Sequence, residues 1–127
     1  MYNRVLVAGT FDRLHQGHKL LLDKAFEVTA EFGELVIGIT GNSMCAGKKL
    51  SRLIEPVGKR QAQVNQYIQS INKSYIKVTL MLIYDKYSIG ISDSTLECLV
   101  LSDETIKTGQ EINQLRSSNG LKPLVLV

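Results

Sequence analysis

Two kinds of hydrophobic pattern alternate along this chain. Short, nearly continuous apolar runs rich in β-branched residues are typical of buried strands, and longer stretches with apolar residues at helical spacing separate them. The apolar runs predict five strands, at residues 4–8, 34–40, 75–84, 96–101 and 124–127. The stretches between them predict helices at residues 17–32, 55–71 and 103–118. This alternation predicts a Rossmann-like α/β sandwich of three layers around a five-stranded parallel sheet.

Local signals mark the ends of two predicted helices. Gly33 directly follows the first helix and suits its C′ position. Ser102 precedes the third helix, with acidic residues in the predicted first turn. We therefore expect the hydroxyl of Ser102 to cap that helix.

Length, charge and cysteine content narrow the class of protein. The 127 residues fit a single domain, residues 1–127, with its own core. The net charge of +3 is too small to indicate a nucleic-acid partner, but it suits anionic substrates. Cys45 and Cys98 have neither metal nor redox spacing. No signal peptide or membrane-spanning run is visible, so we expect a cytoplasmic protein without a membrane partner; the oligomeric state is left open.

The segment between the first predicted strand and the first predicted helix carries the candidate chemistry. Unpaired N–H groups and the helix dipole make the first turn of a helix a site for phosphate, and Gly9 and Gly17 leave room for a ligand there. His15 and His18 lie three residues apart, on one helical face. Imidazoles so placed can stabilise charge that develops during phosphoryl or nucleotidyl transfer, and Thr10 adds a hydroxyl at the same turn.

Two other interpretations of these histidines are weaker. A single histidine in a helix is most often a packing or surface residue, but here both histidines of the chain occupy one four-residue window. A metal site at His15 and His18 would need further ligands, and no cysteine or carboxylate cluster supplies them at an obvious spacing.

Polar and charged residues follow the ends of other predicted strands. Lys48, Lys49 and Arg52 form a basic cluster after the second strand; a solvated charge run is the alternative interpretation. The Asp85 loop and residues 102–105 follow the third and fourth strands. Because parallel strands end at one edge of a sheet, we expect all of these segments to converge with the histidine segment on one site.

The motif resembles that of a known superfamily. Gly9-Thr10-Phe11-Asp12 followed by His15-Gln16-Gly17-His18 is similar to the signature of the HIGH-type nucleotidyltransferases. The longer match, extended through Lys19, looks most like the phosphopantetheine adenylyltransferases of the archaeal and eukaryotic type. Residues 102–105, followed by Asn113 and Arg116, resemble a second stretch of the same family, although Asn113 and Arg116 also fit an ordinary helix surface.

The resemblance implies transfer of AMP from ATP to 4′-phosphopantetheine, which forms dephospho-coenzyme A and pyrophosphate. It implies three catalytic residues, namely His18, Thr10 and Lys49. It implies an ATP site made of Gly9, Thr10, Phe11, His15, His18 and Glu104. It implies a phosphopantetheine site made of Thr10, Lys49 and Arg60. Mg²⁺ is expected to accompany ATP as the counter-ion of the triphosphate, without a metal held by protein ligands.

One feature of the family has no counterpart in this sequence. The family carries a Ser-Ser-Thr-Arg segment after the fifth strand, whereas this sequence ends at Val127. We therefore expect a domain that lacks this segment, and three explanations stay open: the sequence is a truncated form, the activity is reduced or absent, or a partner supplies the missing contacts. Two alternatives stay open: a cytidylyltransferase or flavin-nucleotide-forming adenylyltransferase, and a nucleotide-binding module without catalytic activity.

Overall fold

The computed structural model describes residues 1–41, 54–71 and 73–127. In this part of the chain, strands and α-helices alternate, and a short 3₁₀ turn (Ser88–Ile91) precedes the fourth strand. The strands are β1 (Tyr2–Gly9), β2 (Thr29–Thr40), β3 (Lys77–Ile83), β4 (Cys98–Val100) and β5 (Val125–Leu126). The α-helices are α1 (Gln16–Val28), α2 (Val57–Ile71) and α3 (Ile106–Ser118).

The strands form one sheet in the order β3-β2-β1-β4-β5, with all neighbours parallel. The predicted α/β class and five-stranded parallel sheet are therefore confirmed. β1 lies at the centre, where Val5 pairs with Leu35 of β2 on one side and with Cys98 of β4 on the other. The chain runs outward in opposite directions from β1, and such a switch point leaves a crevice at the carboxyl ends of the central strands.

Both faces of the sheet are covered. Val5 and Val7 point into a core shared with α1 and α2, whereas Leu6 between them packs against Ile112 of α3. All four side chains are buried. Burial on both faces explains why the strands appear in the sequence as nearly continuous apolar runs. No helix in the described ranges has the length and apolar character needed to span a bilayer.

The first helix ends earlier than predicted. α1 stops at Val28, because the hydroxyl of Thr29 donates to the carbonyl of Ala25 (2.7 Å) and the backbone N–H of Thr29 donates to the carbonyl of Phe26. β2 begins at once, at Thr29, so the predicted helical residues 29–32 belong to the strand.

Gly33 is not the C′ residue of a helix. It lies in β2 at an irregularity in the register, where Tyr2 pairs with Thr29 but Arg4 pairs with Glu34. A Cβ at Gly33 would lie 2.8 Å from the carbonyl oxygen of Ala30 and 2.9 Å from that of Asn3. Glycine is therefore required here by the close approach of two backbone segments.

The third helix begins later than predicted. α3 starts at Ile106, and the backbone N–H of Ser102 donates to the hydroxyl of Thr105 (2.9 Å). The expected cap is therefore wrong, since the side chain of Thr105 accepts from Ser102 rather than the side chain of Ser102 capping the helix. Residues 102–105 instead form a turn directly after β4, beside the crevice.

Candidate active site

The histidine segment and the turn at residues 102–105 face each other across a cleft of about 300 Å³ at the carboxyl ends of β1 and β4. The residues that line it are Ala8, Gly9, Thr10, Phe11, His15, Gly17, His18, Leu21, Ser102, Asp103, Glu104 and Thr105. The structure thus brings together every residue of the predicted ATP site. The Asp85 loop lies beside this cleft instead, where Lys86 and Tyr87 border a cavity of about 40 Å³.

A larger groove of about 600 Å³ lies between the motif loop and α2. Its charged and aromatic side chains already have partners within the protein: Glu55 binds Lys59 at 2.7 Å, and the hydroxyl of Tyr67 donates to Asp23 at 2.5 Å. The Tyr67 bond raises the pKa of that phenol to about 12. We therefore place the candidate chemistry in the smaller cleft.

The two histidines form the N-terminal cap of α1. His15 is the N-cap residue, and its Nδ1 accepts the backbone N–H of Gly17 at 3.1 Å. The Nδ1 of His18 accepts the backbone N–H of His15 at 3.3 Å, which completes a capping box usually made by a hydroxyl and a carboxylate or amide. Since each Nδ1 is an acceptor, each neutral ring carries its proton on Nε2.

Close packing fixes these rings. The imidazoles of His15 and His18 stack with centroids 3.8 Å apart, and the ring of Phe11 lies 5.5 Å from that of His18. A Cβ at Gly17 would lie 3.0 Å from Cε1 of His15, so glycine leaves the room that the His15 ring occupies. The sequence motif therefore encodes a rigid pair of Nε2–H donors at the start of a helix.

The environment of His18 favours its neutral form. Partial burial lowers the pKa of its imidazole from the usual 6.5, and the neighbouring His15 lowers it further. The carboxylates of Glu104 and Asp12 act in the opposite direction without reversing the shift. His18 therefore offers one neutral N–H donor.

The backbone of the motif is strained at two positions. Phe11 and Arg13 have φ values of 52° and 47°, a left-handed conformation that is uncommon outside glycine. Phe11 is buried, so its backbone rather than its ring is available to a ligand. Asp12 holds the loop, because its carboxylate accepts the N–H of Glu55 at 2.9 Å and binds Arg13 at 2.8 Å. Such backbone conformations cost free energy, so they persist only where the surrounding structure holds them, and they occur most often at functional sites.

Arg60 is completely buried behind the cleft. Its Nη1 donates to the carbonyls of Thr10 (2.9 Å) and Thr40 (2.7 Å), and its Nε donates to that of Glu55 (2.8 Å). The guanidinium thereby joins the carboxyl ends of β1 and β2 to the start of α2. The predicted contact of Arg60 with a substrate phosphate stays a prediction.

The remaining predicted residues divide into two groups. Glu104 is exposed and borders the cleft. Lys49 lies outside the described residues, as do Lys48, Arg52 and Cys45, so the predicted role of Lys49 stays a prediction. Within the described ranges, no group of three or more His, Cys, Asp or Glu side chains is placed to hold a metal ion.

Sequence reasoning missed Thr40. The hydroxyl of Thr40 donates to that of Thr10 at 3.1 Å, although 30 residues separate them. In the sequence, Thr40 is only the last residue of an apolar run, and no local signal marks it. The contact between Thr40 and Thr10 becomes visible only in the structure, where the ends of β1 and β2 lie side by side.

Asn113 and Arg116 are not ordinary helix surface. The guanidinium of Arg116 is buried and donates to the carbonyls of Gly90 (2.8 Å), Asp93 (3.0 Å) and Lys122 (2.7 Å). Burial lowers its pKa, and Asp93 opposes part of that shift. Asn113 exchanges two hydrogen bonds with the backbone of Leu124, so both residues support the fold beside the cleft.

Comparison with known proteins agrees with this architecture. Residues 6–126 match the family model described as "Cytidylyltransferase-like", which is the class of protein that the sheet and the histidine turn define. A crystal structure of a protein of unknown function from Archaeoglobus fulgidus superimposes with a TM-score of 0.85 at 28% identity, and the match covers 98% of this chain and 87% of that one.

Curated relatives identify the family within the cytidylyltransferase-like class. The phosphopantetheine adenylyltransferase of Pyrococcus furiosus is 41% identical over 127 residues, which cover 99% of this chain and 76% of the relative. That of Saccharomyces cerevisiae is 34% identical over 120 residues, 94% of this chain and 38% of the yeast protein. The chain belongs to the phosphopantetheine adenylyltransferases, and the predicted resemblance to their archaeal and eukaryotic type is confirmed.

Proposed function

We propose that the protein is a pantetheine-phosphate adenylyltransferase of coenzyme A biosynthesis. It transfers AMP from ATP to 4′-phosphopantetheine and forms dephospho-coenzyme A and pyrophosphate. The observation that carries this proposal is the pair of Nε2–H donors, His15 and His18, at the N-terminus of α1 in a chain 41% identical to a named relative. The site of action that we propose is the cytoplasm.

The chemistry is a direct displacement at phosphorus. A phosphate oxygen of 4′-phosphopantetheine attacks the α-phosphorus of ATP, and a new P–O bond forms. The bond from the α-phosphorus to the oxygen bridging to the β-phosphate breaks, and pyrophosphate leaves with the electron pair. Because both reactants are anions, catalysis depends mainly on positioning them and offsetting their charge.

Each cleft residue has a role that its geometry supports. His18 donates from Nε2 to the oxygens of the α-phosphate, where charge develops in the transition state. His15 donates to the neighbouring nucleotide phosphates. The backbone N–H groups of the first turn of α1 add a phosphate-binding element. The backbone of Gly9 and Phe11 borders the nucleotide on one side of the cleft, and Glu104 borders it on the opposite side.

The acceptor phosphate lies beside Thr10 in this proposal. Thr10 orients the attacking oxygen, and Lys49 offsets the charge of the phosphate. Arg60 supports this half of the site through the carbonyls of Thr10 and Thr40, and a direct phosphate contact is proposed in addition.

We propose that Mg²⁺ enters with ATP and is held by the phosphates. We assign no metal-ligand role to the described side chains.

Pyrophosphate release by this 127-residue chain tests the function. Turnover that requires both ATP and 4′-phosphopantetheine supports the proposal. Reactions in which CTP replaces ATP, or flavin mononucleotide replaces 4′-phosphopantetheine, measure the alternative specificities. ATP binding without turnover on any acceptor would contradict the proposed activity and identify a nucleotide-binding module.

A further inference from the structure

We propose that Glu104 makes the site selective for ribonucleotides by accepting hydrogen bonds from the 2′- and 3′-hydroxyls of the ATP ribose; this inference rests on the proposed function. Glu104 lies in the turn at residues 102–105, which follows β4 and lines the cleft opposite the histidine segment. The residue is exposed. Within the described part of the chain, its carboxylate forms no hydrogen bond and no ion pair.

The side chain of Thr105 closes this turn. Its hydroxyl accepts the backbone N–H of Ser102 (2.9 Å) and donates to the carbonyl of Ser102 (3.2 Å). The backbone N–H of Thr105 donates to the same carbonyl at 3.0 Å. The first and last residues of the turn are therefore bound to each other, and the two residues between them, Asp103 and Glu104, present their carboxylates at the wall of the cleft.

The two walls of the cleft differ in electrostatic character. One wall offers donors, namely the Nε2–H groups of His15 and His18 and the N–H groups of the first turn of α1. The opposite wall carries the carboxylates of Asp103 and Glu104. Phosphates are attracted to the first wall and repelled by the second. A bound nucleotide is therefore oriented with its triphosphate against α1, and the acidic wall must meet a part of ATP that carries hydrogen-bond donors.

The ribose is the part of ATP that fits this requirement. It follows the α-phosphate directly, through O5′ and C5′, whereas the amino group of the adenine lies farther away. The carboxylate of Glu104 is among the groups that raise the pKa of the His18 imidazole and that of Asp103 is not, which places Glu104 nearer to the α-phosphate. An ionised carboxylate has two acceptor oxygens and no donor, so it matches two adjacent hydroxyls.

This pairing makes the site selective. A nucleotide without these hydroxyls leaves the carboxylate of Glu104 without donors beside an anionic ligand, and an unpaired charge that loses its water costs free energy. Sites that hydrogen-bond a hydroxyl of the substrate therefore reject analogues that lack it.

Calorimetric titration with ATP and 2′,3′-dideoxy-ATP, both with Mg²⁺, tests the inference. In the wild type, the Kd for 2′,3′-dideoxy-ATP should be about tenfold higher than the Kd for ATP. Glu104→Ala removes the acceptor, so the ratio of the two Kd values should fall to about one. Glu104→Gln keeps one acceptor oxygen but not the charge, and it should give a ratio between these values.

Asp103→Ala is the matched control. It removes an exposed carboxylate from the same turn, so the general effect of lost negative charge on a triphosphate is present in this variant too. Asp103→Ala should change both Kd values by the same factor and keep the wild-type ratio. A ratio that falls equally in Asp103→Ala and Glu104→Ala would overturn the assignment to Glu104.

Other roles of Glu104 predict different results. If its carboxylate held Mg²⁺, Glu104→Ala would weaken ATP and 2′,3′-dideoxy-ATP by the same factor, and this result would overturn the inference. If it bound the adenine amino group, the wild type would discriminate against inosine triphosphate instead, and Glu104→Ala would remove that discrimination without changing the dideoxy ratio. This result would also overturn the inference.

Pyrophosphate release separates the inference from the proposed function. A chain that shows the expected Kd ratios but no turnover with 4′-phosphopantetheine contradicts the function and supports the role of Glu104. An active wild type with the same Kd ratio as Glu104→Ala would overturn that role alone. A chain that binds neither nucleotide would overturn both.

Discussion

The two ring nitrogens of His18 have different roles, one structural and one chemical. Nδ1 accepts the N–H of His15 and helps to cap α1, which leaves Nε2 as the donor for a ligand. The candidate chemistry was predictable from the sequence because His15 and His18 are close along the chain, so that their geometry depends on one turn. Thr40 was not, because its bond to Thr10 depends on the pairing of two strands.

Replacement of His18 by alanine should remove about 3 kcal/mol of transition-state stabilisation, a loss of about a hundredfold or more in kcat, with little change in ATP affinity. His18→Gln is the matched variant, because glutamine at this position of a capping box also accepts the N-cap N–H. Steady-state kinetics and urea unfolding should show that glutamine preserves stability but not rate. A His18→Ala chain with full activity would refute the catalytic role.

The lowered pKa of His18 makes stability depend on pH. Since the folded-state pKa lies below the unfolded value of 6.5, the unfolded chain binds more protons between these two values. The contribution of His18 is therefore complete above pH 6.5 and is lost as the pH falls from 6.5 through the folded pKa. Urea titrations of wild type and His18→Gln at pH 7.5, 6.5 and 5.5 should show similar stabilities at pH 7.5 and a free energy of unfolding of wild type that falls relative to that of the variant as the pH is lowered; a constant difference would contradict this.

At the scale of elements, the order and type of the predicted strands and helices were correct, and the errors lie at their ends. Hydrophobic periodicity is summed over many residues, whereas a boundary depends on one or two hydrogen bonds. Gly33 illustrates the limit. A glycine after a helical pattern fits both a left-handed C′ residue and a close backbone contact, and only the position of Asn3 across the sheet decides between them.

Gly33→Ala should lower the free energy of unfolding by about 1–3 kcal/mol, because both contacts of the new methyl group are with backbone atoms that cannot move separately. Gly58→Ala in α2 is the control, since a Cβ there meets nothing within 4 Å. Alanine favours the helix, so this change should be neutral or stabilising by up to about 1 kcal/mol. Chemical denaturation of both variants measures the difference, and equal stabilities would contradict the packing argument.

At the scale of the whole molecule, the described part of the chain has one buried arginine on each side of β1: Arg60 ties α2 to the carboxyl ends of β1 and β2, and Arg116 ties α3 to the segments that precede β4 and β5. Arg60 binds three carbonyls on the α2 side, and Arg116 binds three on the α3 side. Neither role was evident in the sequence, where an arginine on a helix usually indicates a solvated surface. Burial is a property of the assembled layers and cannot be inferred from one helix.

Arg60→Met and Arg116→Met should each lower the free energy of unfolding by about 3 kcal/mol or more, because each leaves three carbonyls without their donor. Only Arg60→Met should also reduce kcat/KM by an order of magnitude beyond its unfolded fraction, since Arg60, unlike Arg116, binds the backbone of Thr10. Urea unfolding followed by kinetics on the folded fraction measures both effects. Equal activity losses in the two variants would contradict the division.

The central position of β1 sets an order of events during synthesis. On the ribosome, β1 can pair with β2 early, but its other neighbour, β4, is translated roughly 90 residues after β1, and such distant pairings form slowly. The histidine turn is encoded next to β1, and the opposite wall of the cleft follows β4. The segment that forms the phosphate-binding turn is thus synthesised long before the opposite wall of the cleft, so the complete nucleotide site is among the last features of the fold to assemble.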